Sequence, residues 1–285
     1  MPHASGDVIL ANTGSPARNP FPQHVFAGGN AYMLSLLSAN GEDLQVTAND
    51  DQFEITRNAV LDLLQQQTAT LGLTTAQAGG ILTTEVDITV NTGHKFPTSF
   101  PSRRAWLHLI VKDAAGSPVF ESGGWQPDGV IIGNDNDAAG DRFEKHYDLI
   151  TSSDQVQIYE AIIGDPDGKL TTTLLRAKAY LKDNRLLPVG FDKQTAGADI
   201  AVYGLAVEDA NFTAGSDQVT YQIPITPGVY TVEVELLYQS IGFRWAEKFR
   251  SEQNPEGTEF YGYADGMGNP PVVITSQTIV VDIAE

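Results

Sequence analysis

The chain has 285 residues, enough for one large β domain or a β domain with a helical appendage. Its 36 acidic against 17 basic residues give a net charge of −19, which argues against nucleic acid or an anionic membrane surface as a partner, since both need a clustered basic face. Cysteine is absent, so disulfides, thiolate metal sites, Cys nucleophiles and covalent haem attachment within these residues are excluded.

Residues 1–26 are rich in Pro, Gly, Asn and Ser and read as irregular coil, and Met1–Asp7 has neither the basic nor the apolar stretch of a signal peptide. Residues 28–39 predict a short helix capped by Asn30. A longer helix follows, capped by Asp50 or Asp51 and running to about Leu71, with Phe53, Val60, Leu61 and Leu64 near a 3.6-residue period. Two such helices cannot bury their apolar stripes alone and must pack on another layer. From Gly80 the period becomes two. Residues 82–90, 105–111, 119–122, 155–163, 171–180, 199–207, 218–223, 230–238 and 272–283 predict strands. Turns are expected at Ala114–Gly116, Asp165–Gly168 and Thr226–Gly228. The expected fold is mainly β, an antiparallel immunoglobulin-like sandwich over 76–285, preceded by a coil and two-helix segment over 1–75. No run of about 18 apolar residues exists to span a membrane.

The segment Asn91-Thr-Gly-His-Lys-Phe-Pro-Thr-Ser-Phe-Pro-Ser-Arg-Arg-Ala-Trp-Leu-His108 joins two of these strands. A loop held by prolines can present the His94 imidazole in a fixed orientation, as iron ligation requires; a surface His bonded to a neighbouring carbonyl is the simpler alternative. Arg103 and Arg104 suit bidentate pairing with a carboxylate, either on a partner or among the many local acids. The loop Asn134–Glu144 offers Asp135, Asp137, Asp141 and Glu144 as oxygen ligands for calcium, but in a spacing that fails the EF-hand register; a solvated acidic turn is the alternative. No nucleophile elbow, zinc-protease helix, phosphate loop or dinucleotide fingerprint occurs, and no enzymatic activity is expected.

The Gly93-His-Lys-Phe-Pro-Thr98 turn leading into Arg103-Arg-Ala-Trp-Leu-His108 resembles the C-terminal, haem-free part of multihaem c-type cytochromes. Asn19-Pro-Phe-Pro-Gln-His-Val-Phe-Ala-Gly-Gly-Asn30 is similar to a segment that follows a haem site in that family, and Met1-Pro2 to the pair that commonly follows Cys-x-x-Cys-His. Similar stretches include Phe143–Asp148, Asp154–Glu160, Tyr180–Pro188 and Leu237–Ala246, so the resemblance spans nearly the whole chain. It departs at Ser99, where Gly is expected, and in having no haem attachment motif. The resemblance implies a module beginning just past the last haem c of a parent protein, with a haem-bearing domain or redox partner beside it. It further implies that His24 or His94 serves as a distal ligand, that Arg103 and Arg104 face a propionate, and that the location is periplasmic or extracellular. From the residues alone, an extracellular calcium- or carbohydrate-binding, adhesive or assembly-forming sandwich is an equally available reading.

Overall fold

The computed structural model describes residues 3–11, 13–22, 27–98, 100–252 and 254–284. Helix α1 (Ala31–Ala39) starts where the Asn30 side chain accepts the Met33 amide at 3.0 Å. Helix α2 (Asp50–Gln67) is capped one residue earlier than expected. Asn49 and Gln52 exchange side-chain and backbone bonds in a capping box, and Asp50 and Asp51 fall in the first turn, where negative charge suits the helix dipole. It ends at Gln67, because the next residues alternate inward and outward and are taken up by strand β1 (Ala69–Ala78). This strand crosses the boundary expected near 75–76. Val60 and Leu64 of α2 belong to the same buried cluster as the strands, so the helical segment shares the β core.

Then follow β2 (Ile81–Val90), β3 (Arg104–Asp113), β4 (Pro118–Ser122), the one-turn α3 (Asp135–Ala138), β5 (Leu149–Ile150), β6 (Ile158–Gly164) and β7 (Ala179–Asp183). The chain continues through β8 (Ser216–Pro224), β9 (Gly228–Gln239), α4 (Phe243–Glu252), α5 (Pro255–Ala264) and β10 (Val272–Ile283). A four-stranded sheet in the order β1-β2-β8-β5 faces a six-stranded sheet in the order β10-β9-β3-β6-β7, with β4 also on β3. The protein is therefore mainly β, a two-sheet sandwich whose pairings are antiparallel except β5 beside β8. The period-two patterns explain the core. Leu82, Val86 and Ile88 of β2 meet Leu107, Leu109 and Val111 of β3 and Val232, Val234 and Leu236 of β9, all 2% exposed or less.

Strand β3 is central, paired with β9 along its whole length and flanked on its other side by β6 and then β4. Its second face is divided. Trp106 is covered by Ile131, Val156 and Ile158 from the 123–158 connection, forming a second small core with Leu237, whereas His108 and Lys112 are half-open to solvent. Gly123 makes this cover possible. Its φ is +77°, a Cβ there would lie 2.3 Å from the Leu107 carbonyl, and its own carbonyl accepts the Trp106 indole N–H at 2.9 Å. The runs expected as strands at 171–180 and 199–207 form only β7 and isolated bridges, with short 3₁₀ turns at Leu174–Arg176 and Leu205–Val207.

Candidate functional site

The turn that leaves β2 is anchored directly after His94. The Phe96 and Leu186 backbones exchange two hydrogen bonds of 2.9 and 2.8 Å, and the Phe96 ring lies 5.5 Å from that of Tyr238. The Lys95 ammonium is buried 2.9 Å from Asp183 Oδ2 and 3.0 Å from the Ala201 carbonyl. Burial pulls its pKa down despite Asp183, whose carboxylate is also gripped by Arg185 at 2.7 Å. His94 itself is exposed, with Nδ1 3.1 Å from the Lys95 carbonyl. A carbonyl can only accept, so Nδ1 carries the proton and the lone pair belongs to Nε2, which has no partner among the described residues. The turn thus presents one imidazole nitrogen to the outside, on a support fixed by an ion pair and a backbone bridge.

Arg103 is half-exposed, its Nη1 donating to the Thr98 carbonyl at 3.3 Å. The segment leading into α1 rests beside it. Tyr238 Oη donates to the Gly29 carbonyl at 2.7 Å, and a Cβ at Gly29 would stand 3.6 Å from Arg103 Nη1. Gly29 is required by this close approach, since the same Cβ would meet Tyr238 Oη at 2.8 Å. His24, expected as the second ligand, lies outside the described residues.

Arg104 is enclosed. Its guanidinium donates to Asp137 Oδ1, Gln239 Oε1 and the Gly129 carbonyl, each at 2.8 Å, and it lies 5.8 Å from the Trp106 ring. Asp137 Oδ2 accepts the Ile131 amide at 2.8 Å. Two residues expected in separate roles, one toward a propionate and one toward calcium, therefore satisfy each other in the interior. The other acids of that loop diverge. Asp135 pairs with Arg142 at 3.4 Å, Asp141 is exposed, and Glu144 is buried with Oε1 accepting the Asp135 amide. Burial also pushes the Glu144 carboxyl above its ordinary value.

Among the described residues, three groups of metal-ligand type converge elsewhere, at His146, Asp209 and Asp217. Sequence reasoning passed over this cluster because its members lie far apart in the chain. The hydrogen bonds there specify an imidazole that donates. His146 Nδ1 accepts from the Gln157 amide at 2.8 Å and the Asn184 amide at 3.0 Å. Both amides are held that way round, because Gln157 Oε1 accepts the Tyr147 N–H and Asn184 Oδ1 the Glu160 N–H. Nε2 must then carry the proton, donated to Asp209 Oδ2 at 2.9 Å, which leaves no lone pair for a metal. Burial lowers the His146 pKa, keeping it neutral. Burial alone would raise Asp209, but His146 and the amides of Asn211 and Phe212 bring it below the usual carboxylate range.

On the open half of the β3 face, His108 sits between two carboxylates, Nε2 3.0 Å from Glu121 and Nδ1 3.2 Å from Glu235. Burial would lower its pKa, but the two glutamates outweigh burial and raise it. A raised folded-state pKa stabilises the fold fully below the unfolded value of about 6.5 and loses that contribution as pH climbs through the folded value. Urea unfolding of the protein and of His108→Gln should therefore differ by about 0.2–1 kcal/mol at pH 6, and this gap should close by pH 8.5. A pH-independent gap would show that His108 contributes packing alone.

These features define a mainly β, two-sheet protein with buried ion pairs and an exposed His94 imidazole. No known family model matches the chain, and no curated protein matches it. Among solved structures it is similar to a penta-heme cytochrome c552 from Thermochromatium tepidum, at 17% identity and a TM-score of 0.45. The match covers 77% of this chain and 41% of that one, so the chain spans less than half of that protein's length. Having no cysteine, the chain attaches no haem c itself, and no helix among its described residues is long and apolar enough to cross a membrane.

Proposed function

We propose that the chain is the haem-free C-terminal module of a multihaem c-type cytochrome acting in extracytoplasmic electron transfer, without catalysis of its own. The observation that carries this reading is the outward Nε2 of His94, in the tautomer that binds iron and on a turn held by Lys95 and Phe96. In this role the turn closes over the open face of a haem borne by a neighbouring domain. His94 is the distal ligand, half-exposed Arg103 is the donor left for a propionate, and the sandwich shields the ring from water. His24 stands as the second ligand candidate.

Titration with a c-type haem peptide that has one His ligand and an open sixth position tests the proposal. The expected result is conversion to a low-spin, bis-His spectrum, retained in His24→Ala and lost in His94→Ala, with the far-UV dichroism of all three proteins unchanged. Loss in His24→Ala alone would transfer the role to that residue. No conversion by the unaltered chain would overturn the reading in favour of an extracellular binding or assembly sandwich.

A further inference from the structure

Helices α4 and α5, Tyr32 of α1 and the 125–128 loop line an open cleft of about 890 Å³. That volume lies in the range of small-molecule sites. Five aromatic rings line it: Tyr32, Trp125, Phe243, Phe260 and Tyr261. Its charge is uneven, with carboxylates from Asp128, Glu247 and Asp265 against a single cation, Arg250.

Arg250 shows what this lining holds. Its guanidinium lies 4.0 Å from the centre of the Tyr261 ring, 2.8 Å from Asp265 Oδ1 and 3.3 Å from Glu247 Oε2. That is a cation on an aromatic face with carboxylates at its edge, yet the Arg250 side chain remains 52% exposed. Burial and the nearby Tyr261 and Asp265 raise the pKa of the Tyr32 phenol, so that ring stays neutral. Trp125 is 37% exposed, and Asp128 is exposed with Oδ1 accepting the Val130 amide of its own turn. After Arg250 is counted, the lining keeps two uncompensated negative charges beside aromatic faces, on a chain whose net charge of −19 already draws cations in.

We infer that this cleft is a binding site for a small organic cation of the alkylammonium class, with Arg250 as a built-in competitor for the Tyr261 end. Cation–π attraction and the carboxylates supply the selectivity, and the apolar walls take the rest of the ligand. The site is independent of the haem-facing role of His94.

Calorimetric titration of the whole chain with benzyltrimethylammonium tests the inference, alongside the neutral carbon isostere 2,2-dimethylpropylbenzene. The expected result is saturable binding of the cation, at least about fivefold tighter than the isostere and weakened at least about fivefold by Trp125→Ala. Arg250→Ala, which removes the competitor and leaves two more carboxylate oxygens free, should tighten binding about fivefold or more. Thermal melts of both variants confirm that the exposed substitutions leave the fold intact. Equal affinity for cation and isostere, no heat above dilution, or Arg250→Ala binding no tighter than the unaltered chain would each overturn it.

Discussion

Replacing Arg104 by Met should lower the unfolding free energy by about 3–5 kcal/mol, the loss expected when one member of a buried ion pair is removed and the other is left without compensation. Arg104 is 4% exposed and the Asp137 side chain 1%, so water cannot stand in for the missing guanidinium. Three acceptors lose their donor at once, although Gln239 still donates to the Gly129 and Asn269 carbonyls. The pair also ties distant pieces together. Arg104 begins β3, Asp137 belongs to α3, and Arg244 of α4 donates to the Asn136 and Asp137 carbonyls, so one cluster fixes the connection that covers Trp106. Arg104→Met with Asp137→Leu should be less damaging than Arg104→Met alone, because the stranded carboxylate goes with its partner; what remains is mainly the orphaned Ile131 amide, about 1–3 kcal/mol. Urea unfolding of the two variants gives the comparison. If the double variant is the less stable of the two, the loss comes from packing and not from a stranded charge.

The sequence exposes the sandwich wherever a strand buries one face. Leu82–Val90 and Tyr230–Tyr238 alternate because one side meets the core, and β2 and β9 follow that alternation. The pattern misleads where apolar residues lack a core to face. In the 199–207 run Val202 and Ala206 reach the core, but Ile200, Leu205 and Val207 are about half exposed, and Tyr203 pairs with Asp183 through an isolated bridge. Helices α4 and α5 went unpredicted although signals were present. Asn254 accepts the Gly257 amide and Pro255 takes the first helical position, a local start signal obscured by glycines and by a short interhelical turn. The chemistry was less legible than the fold. Nothing near Arg104 in the sequence marks Asp137 as its partner, and an acidic loop that reads as cation-binding is spent partly on internal charge pairing. The setting of His94 is local, an exposed ring bonded to the carbonyl of the next residue, as the simpler reading of the sequence expected.

The His146 cluster was the least visible from sequence, and it yields a substitution expected to strengthen the fold. Asp217 is 2% exposed, Tyr159 Oη donates to its Oδ2 at 2.5 Å, and Oδ1 has no hydrogen-bond partner among the described residues. Burial, reinforced by the Asp209 carboxylate, pushes its pKa up to about 7. An acid whose folded pKa exceeds its unfolded value of about 3.9 holds its proton longer in the fold than in the unfolded chain. Stability therefore falls as pH rises from about 4 to 7, then levels off once both states are ionised. Asp217→Asn removes this loss while keeping a carbonyl oxygen to accept from Tyr159. The variant should match the unaltered protein near pH 4 and exceed it by on the order of 2–4 kcal/mol at pH 8. The titration of His146 is common to both proteins, so it largely drops out of the difference. Urea midpoints across this range measure the gap. A gap that fails to widen with pH would mean that Asp217 is ionised in the fold at pH 4 and that water or a cation reaches Oδ1; a widening gap identifies Asp217 as a neutral acid that the fold keeps protonated at a measurable cost.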